Sequence, residues 1–175
     1  MYPDAYIQFL VHFHCDRDYF ECHEVLEDFW KHTDPGNKDS HWVGLILLAV
    51  SCYHHRRGNF AGASRTLRKS TDIFHRSSEA IFQSIGINKV LMKQLMERRL
   101  AEIDASKPFH DFSIPLEDNS LLPTCKMMCT EMGGEWEGLS CFAKNQLIHK
   151  HLFRDRSEVI QERNLAIEKR KEKKQ

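Results

Sequence analysis

The segment at 39–57 constrains the fold most, because its first part is apolar on every side of a helix. It contains the run WVGLILLAV at 42–50, which is too short to span a bilayer, where about 20 apolar residues are needed. A helix that is apolar all round must be buried among other elements. The sequence therefore predicts a central helix surrounded by further helices, and it argues against a membrane protein.

Helical patterns separated by turn residues run through the first hundred residues. The breaks fall at Pro35-Gly36, Gly58-Asn59 and Gly86, since Pro and Gly interrupt a helix. No segment of this part has the two-residue period of a strand. The predicted class is all-α: a compact bundle of about five helices in a core domain of residues 1–105. The predicted helices cover about 3–14, 18–32, 39–57, 60–84 and 89–104.

Residues 106–123 have a different character, with three prolines and no helical period. Their apolar members predict a segment pinned over the bundle: Phe109, Phe112, Ile114 and Leu116. A short helix at about 121–132 and a charged helix at about 144–173 are expected to follow. We interpret residues 106–175 as an extended segment and a C-terminal helical extension that packs on the core or projects from it.

The charges of this chain balance overall but are unevenly placed. Twenty-five basic residues meet 25 acidic ones, and the pI is about 7.2, so the overall charge gives no argument for nucleic acid as a partner, and such a partner is not expected. Residues 1–40 carry nine acids and three bases, whereas residues 41–80 carry six bases and two acids. Neighbouring segments of opposite charge are expected to pack on each other.

The N-terminal sequence MYPDAYIQF lacks the features of a signal peptide, so a cytoplasmic location with six reduced cysteines is expected. Cys22 and Cys52 lie in helical patterns and are interpreted as core residues. Cys125, Cys129 and Cys141, with His149, form a weak zinc candidate because their spacing differs from that of zinc knuckles. An apolar stripe fits a homo-oligomer or a monomer's core: Ile73, Phe74, Ile81, Phe82, Leu91 and Leu95.

The segment YFECHEVLEDFW at 19–30 holds the strongest candidate site. His23 and Glu27 are four residues apart, so a helix places them one turn apart on the same side, and Trp30 follows three residues later. Both lie at the edge of the apolar arc of this helix and are expected to be at least half buried. Because a buried carboxylate is costly without a partner, Glu27 should be paired.

The predicted central helix ends in a set of polar residues suited to that pairing. An antiparallel arrangement with the preceding helix brings its end to the start of that helix, where Glu21 and Glu24 lie. Arg56 or Arg57 is then the expected partner of Glu27, since arginine suits buried ion pairs. The predicted polar cluster consists of His23, Glu24, Glu27, Trp30, His54, Arg56 and Arg57.

The stretch HEVLE at 23–27 also resembles the zinc motif H-E-x-x-H, with Glu27 in place of the second histidine. His23 and Glu27 provide two ligands for a divalent metal such as zinc, manganese or iron. A third ligand is expected from His54, His55, Glu24 or Asp16.

The sequence leaves several functions open. The cluster is a structural network, or a ligand pocket in which Arg56 and Arg57 bind a carboxylate or phosphate, or the centre of a metal-dependent hydrolase. A fourth alternative is an interaction module that binds protein or RNA through the C-terminal helix.

Two segments resemble domain-of-unknown-function family 309: residues 19–30, and YHHRRGNFAGA at 53–63. The family pattern H-x-x-x-E-x-x-W falls on His23, Glu27 and Trp30. Residues 151–163 are similar to the C-terminal extension of Bacillus-type members. The resemblance implies an all-helical bacterial protein with metal ligands at His23 and Glu27, and some members carry the name of a metal-dependent hydrolase.

Overall fold

The computed structural model describes residues 2–138, which form seven α-helices and no strand within that range. The predicted all-α class is confirmed. The expected helix at 144–173 lies outside the described residues. The alternative of an interaction module that binds through this helix therefore stays a prediction. The helices are α1 (Asp4–Val11), α2 (Tyr19–Thr33), α3 (His41–Arg56), α4 (Phe60–Arg76), α5 (Glu79–Ser84), α6 (Lys89–Asp104) and α7 (Leu121–Glu131).

Helix α3 lies at the centre, as its apolar sequence predicts. It packs against α2 and α4, while α4 also contacts α6, and α1 contacts α2 and α7. Gly44 permits the close approach of α3 to α4, because a Cβ there would lie 2.9 Å from the Phe74 ring. Ser70 Oγ of α4 donates to the Gly44 carbonyl over 2.6 Å. The central helix is thus fixed on both sides by its neighbours.

Helix α2, which carries the candidate site, begins and ends where the sequence predicts. The Asp18 side chain caps it by accepting a hydrogen bond from the Glu21 amide over 3.0 Å. Cys22 and Leu26 are buried one turn apart, and their face holds α2 on the core. The helix ends at Thr33, two residues before Pro35.

Two predicted helices are shorter than expected. The helix predicted at 60–84 is divided between α4 and α5, because Ser77 and Ser78 are extended and the Ser78 hydroxyl caps α5. The helix predicted at 3–14 is α-helical only to Val11. A π-helical turn, His12–Asp16, follows it, and Arg17 then adopts a left-handed conformation with φ of 58°. Such turns are frequent at functional sites.

The segment after α6 is pinned over the bundle, and this prediction is confirmed. Phe112 and Ile114 are buried, and Leu116 forms an antiparallel bridge with Ile87. The Asn88 amide also donates to the Pro115 carbonyl over 2.9 Å. These contacts hold the segment at the start of α6.

The apolar stripe on α4, α5 and α6 belongs mainly to the core of this chain. Ile73, Phe74, Phe82 and Leu95 are buried, whereas Leu91 is 52% exposed. The stripe therefore gives no separate argument for a homo-oligomer. None of the helices within residues 2–138 combines the length and hydropathy that a membrane span requires.

The prediction that every cysteine is reduced is wrong for two of the six. Cys15 and Cys129 form a disulfide with their Cα atoms 6.0 Å apart, because the packing of α7 on α1 brings these distant positions together. This bond takes the Cys129 sulfur that the zinc alternative needs, while Cys141 and His149 lie outside the described residues. Cys22, Cys52 and Cys125 are free and buried.

Candidate functional site

His23 lies between two carboxylates on the exposed edge of α2. Its Nδ1 is 3.0 Å from Glu24 Oε1, and its Nε2 is 3.1 Å from Glu27 Oε2. The three side chains are 27%, 26% and 32% exposed. Helical spacing produces this arrangement, because positions 23, 24 and 27 fall on one side of α2. The cluster is therefore partly buried and keeps some contact with solvent.

The cationic partner of Glu27 differs from the one that the sequence suggests. Lys31 Nζ lies 3.3 Å from Glu27 Oε1, so both partners of this carboxylate, His23 and Lys31, come from its own helix. Pairing of Glu27 with Arg56 or Arg57 is therefore a wrong prediction, since i,i+4 neighbours on α2 reach the carboxylate first. The His23 hydrogen bond, with the nearby Lys31 charge, lowers the pKa of Glu27 to about 2 despite partial burial.

The arginines at the end of α3 do lie beside the start of α2, as predicted. Arg56 Nη1 donates to the Arg17 carbonyl over 2.8 Å, and its guanidinium lies 4.9 Å from the centre of the Tyr19 ring. The Arg57 guanidinium lies 5.5 Å from the centre of the Tyr53 ring. The antiparallel packing of α2 and α3 is thus confirmed.

Aromatic rings connect the α3 end to the histidine of the cluster. The Tyr53 ring is 5.9 Å from the Phe20 ring, and the Phe20 ring is 6.3 Å from the His23 ring. Trp30 instead donates from Nε1 to the Asn37 carbonyl over 3.1 Å. Trp30 therefore closes the loop between α2 and α3. The motif had suggested that its ring lies beside His23.

Three of the four candidate third ligands are engaged elsewhere. His54 Nδ1 lies 3.1 Å from Asn59 Nδ2. The ring of His55 is buried, with Nε2 2.8 Å from the Lys107 carbonyl. Asp16 Oδ2 is 3.0 Å from His12 Nδ1. Glu24 is the candidate that joins His23 and Glu27.

One nitrogen or oxygen each from His23, Glu24 and Glu27 lies within 4.8 Å of the other two. Among residues 2–138, this is the one group of His, Cys, Asp and Glu side chains with a spacing suited to a metal ion. One imidazole and two carboxylates form a donor set that fits manganese or ferrous iron better than zinc, which prefers nitrogen and sulfur. The residues present fit a divalent cation.

Comparison with known proteins assigns the chain to a family. The family model described as Domain of unknown function (DUF309) matches residues 6–66. A curated relative, "Uncharacterized protein YpuF" of Bacillus subtilis (strain 168), is 40% identical over 171 residues, which is 98% of each chain. The chain belongs to the DUF309 family. No solved structure matches it significantly.

The segment that matches the DUF309 model contains every residue of the predicted cluster. It runs from α1 into α4 and so includes the α2–α3 pair that positions His23, Glu24 and Glu27. The Bacillus-type resemblance is confirmed, because the YpuF alignment extends over nearly the whole chain.

A second polar cluster escaped the sequence analysis of this DUF309 chain. Arg99 is 2% exposed and donates from Nη1 to Glu102 Oε2 over 2.7 Å, while its Nη2 lies 3.1 Å from His55 Nδ1. Its guanidinium also faces the rings of Phe109 and Phe112 at 5.3 and 4.6 Å. The sequence does indicate that position 99 is buried, because positions 95 and 103, one helical turn on either side of it, are apolar.

Acid is expected to weaken the domain through Glu27. The folded state lowers the pKa of Glu27 from 4.5 to about 2, so its stabilising contribution is present above about pH 4.5 and is lost as the pH falls towards 2. The stability advantage of wild type over Glu27→Gln, measured by urea unfolding, should therefore shrink between about pH 5 and pH 2. Asp28→Asn changes an exposed acid on the same helix and is the control. A pH-independent difference for Glu27→Gln would contradict this assignment.

Proposed function

We propose that this DUF309 protein binds one divalent cation through His23, Glu24 and Glu27. The observation that carries the proposal is the convergence of three donor atoms within 4.8 Å. The two carboxylates supply negative charge, and the site remains partly open. Such a cation would keep coordination positions for water or a substrate, which is what a metal-dependent hydrolase requires.

A metal ion binds a histidine through an unprotonated ring nitrogen. A metal takes one ring nitrogen of His23, and the carboxylate at the other nitrogen would hold the ring in its orientation, as metal-ligating histidines commonly require. Protons compete with the cation for His23, so affinity is expected to fall as the medium becomes more acidic. Lys31 also competes with the cation for Glu27, from 3.3 Å.

Manganese titration of metal-free protein without a histidine tag tests the proposal. We expect saturable one-to-one binding by calorimetry, and a loss of affinity of about ten-fold or more in His23→Ala and in Glu27→Gln. His32→Ala is the matched control, because His32 also lies four residues from an acid, Asp28, on α2. Equal loss in the control, or no saturable binding by wild type, would reject the proposal.

A structural network is the second candidate. Both nitrogens of His23 already lie within hydrogen-bonding distance of a carboxylate, so the cluster is satisfied without a ligand. In this case His23→Ala lowers the melting temperature, while manganese leaves the melting temperature of wild type unchanged. Stabilisation of wild type by manganese, absent in His23→Ala, would instead support the metal site.

A further inference from the structure

The disulfide between Cys15 and Cys129 joins two segments of different accessibility. Cys15 lies in the π-helical turn after α1 and is partly exposed. Cys129 lies in the last turn of α7 and is only 1% exposed. Of the two residues, Cys15 is therefore the more accessible to a small reagent.

The turn after α7 covers the π-helical turn beside this disulfide. The Trp136 ring stacks on the His14 ring, with centroids 4.5 Å apart and planes 6° apart. The Glu137 amide donates to the His14 carbonyl over 3.0 Å. Gly134 lies so close to the Cys15 sulfur that a Cβ would not fit. The disulfide and the turn at 132–138 together clamp the π-helical turn.

We propose that Cys15 is a site of reversible thiol–disulfide exchange with low-molecular-weight disulfides, that Cys129 is its resolving cysteine, and that oxidation fastens the 132–138 turn over His14. The Cys15 thiolate attacks the small disulfide, forms a mixed disulfide and releases one small thiolate. The Cys129 thiolate then attacks the Cys15 sulfur and releases the second. Two protein thiols are oxidised, one small disulfide is reduced to two thiols, and the two protein protons pass to the departing thiolates.

The other described cysteines are poor competitors in this exchange. Cys22, Cys52 and Cys125 are free but buried. Burial raises the pKa of the Cys52 thiol to about 12 and that of Cys125 to about 11. Because the thiolate is the attacking species, these cysteines should remain unmodified. Cys125 lies one turn before Cys129 on α7 but is not bonded to Cys15. Only the cysteine in the last turn of α7 is therefore the partner of Cys15 among the described residues.

The clamp has a direct consequence for His14. This histidine is 1% exposed, and neither ring nitrogen has a hydrogen-bond partner within the described part of the chain. Burial, with the charge of Arg17, lowers the pKa of His14 to about 3. Within residues 2–138 the acid that faces His14 is Glu137, which lies 3.6 Å away and is half exposed. Release of the turn should let water reach the ring and restore its titration.

Trapping of the mixed disulfide tests the proposal on the full-length protein. The reduced Cys141→Ser protein, which serves as the parent, should lose two hydrogens on treatment with glutathione disulfide and carry no adduct in intact-mass spectra. With Cys141 replaced by serine in every protein, Cys129→Ser should keep one glutathione on Cys15, Cys15→Ser should stay unmodified, and Cys52→Ser should behave as the parent protein. No adduct on Cys129→Ser, or equal adducts on Cys15→Ser, would overturn the assignment of roles.

Histidine NMR tests the clamp itself without substitution. In oxidised wild type the His14 resonance should not shift between about pH 5 and pH 8, whereas in reduced wild type it should titrate in that range. Identical His14 titration in the two redox states would overturn the link between the disulfide and the 132–138 turn.

Discussion

Replacement of Arg99 by methionine is expected to lower the free energy of unfolding by about 3 kcal/mol, because the poorly solvated Glu102 carboxylate then loses its nearest cationic partner. Arg99 holds Glu102 at 2.7 Å, and Glu102 is only 18% exposed. The buried His55 Nδ1 would also lose the guanidinium 3.1 Å away. Methionine keeps most of the side-chain volume, so the loss reports on charge and hydrogen bonds more than on packing.

Arg98→Met provides a matched control for this prediction. Arg98 is the neighbouring residue on α6, carries the same side chain and is exposed. A change at such a position usually alters stability by less than about 0.5 kcal/mol. Urea unfolding of both variants measures the difference. Similar stability of Arg99→Met and Arg98→Met would show that the buried guanidinium does not stabilise the fold.

The double variant Arg99→Met/Glu102→Gln separates the ion pair from the other contacts of Arg99. Removal of the charge of Glu102 should recover part of the stability lost in Arg99→Met, since the carboxylate that has lost the guanidinium is then neutralised. Amide exchange should also accelerate near Lys107, Phe109 and Phe112, because Arg99 and His55 anchor this part of the segment to the bundle.

The helices near the candidate site were predictable because local signals agree with the tertiary structure. Asp18 caps α2, Pro35 follows its end, and the apolar sequence of α3 requires a central position. The divided helix at 60–84 was not predicted, since serine is tolerated in a helix and only its side-chain hydrogen bonds decide the break.

The members of the α2 cluster were predictable, but not all of their partners. The pairing of His23 with Glu27 follows from helical spacing alone. Lys31 has that same spacing from Glu27. The prediction from helix packing nevertheless paired Glu27 with an arginine of α3. The disulfide was out of reach for a different reason: its cysteines are 114 positions apart, and no local pattern reports which distant segments meet.

Reduction of the Cys15–Cys129 disulfide is expected to lower the free energy of unfolding by about 2–4 kcal/mol. The bond closes a loop between positions 114 residues apart, so in the oxidised protein it restricts the unfolded chain strongly. Urea unfolding of wild type with and without dithiothreitol measures the effect. The double variant Cys15→Ser/Cys129→Ser is the control and should not respond to the reductant.

The location of the response separates two origins of this stabilisation. If the disulfide acts only on the unfolded chain, reduction should speed amide exchange in the buried helix α3 and leave local exchange in α7 unchanged. If the disulfide also fastens the 132–138 turn over His14, reduction should have a second effect. Amide exchange in that turn and at the end of α7 should then become faster than in α3. Equal stability of oxidised and reduced wild type would contradict the prediction, and it would attribute the anchoring of α7 to its packing on α1 and to its buried residues Leu121 and Cys125.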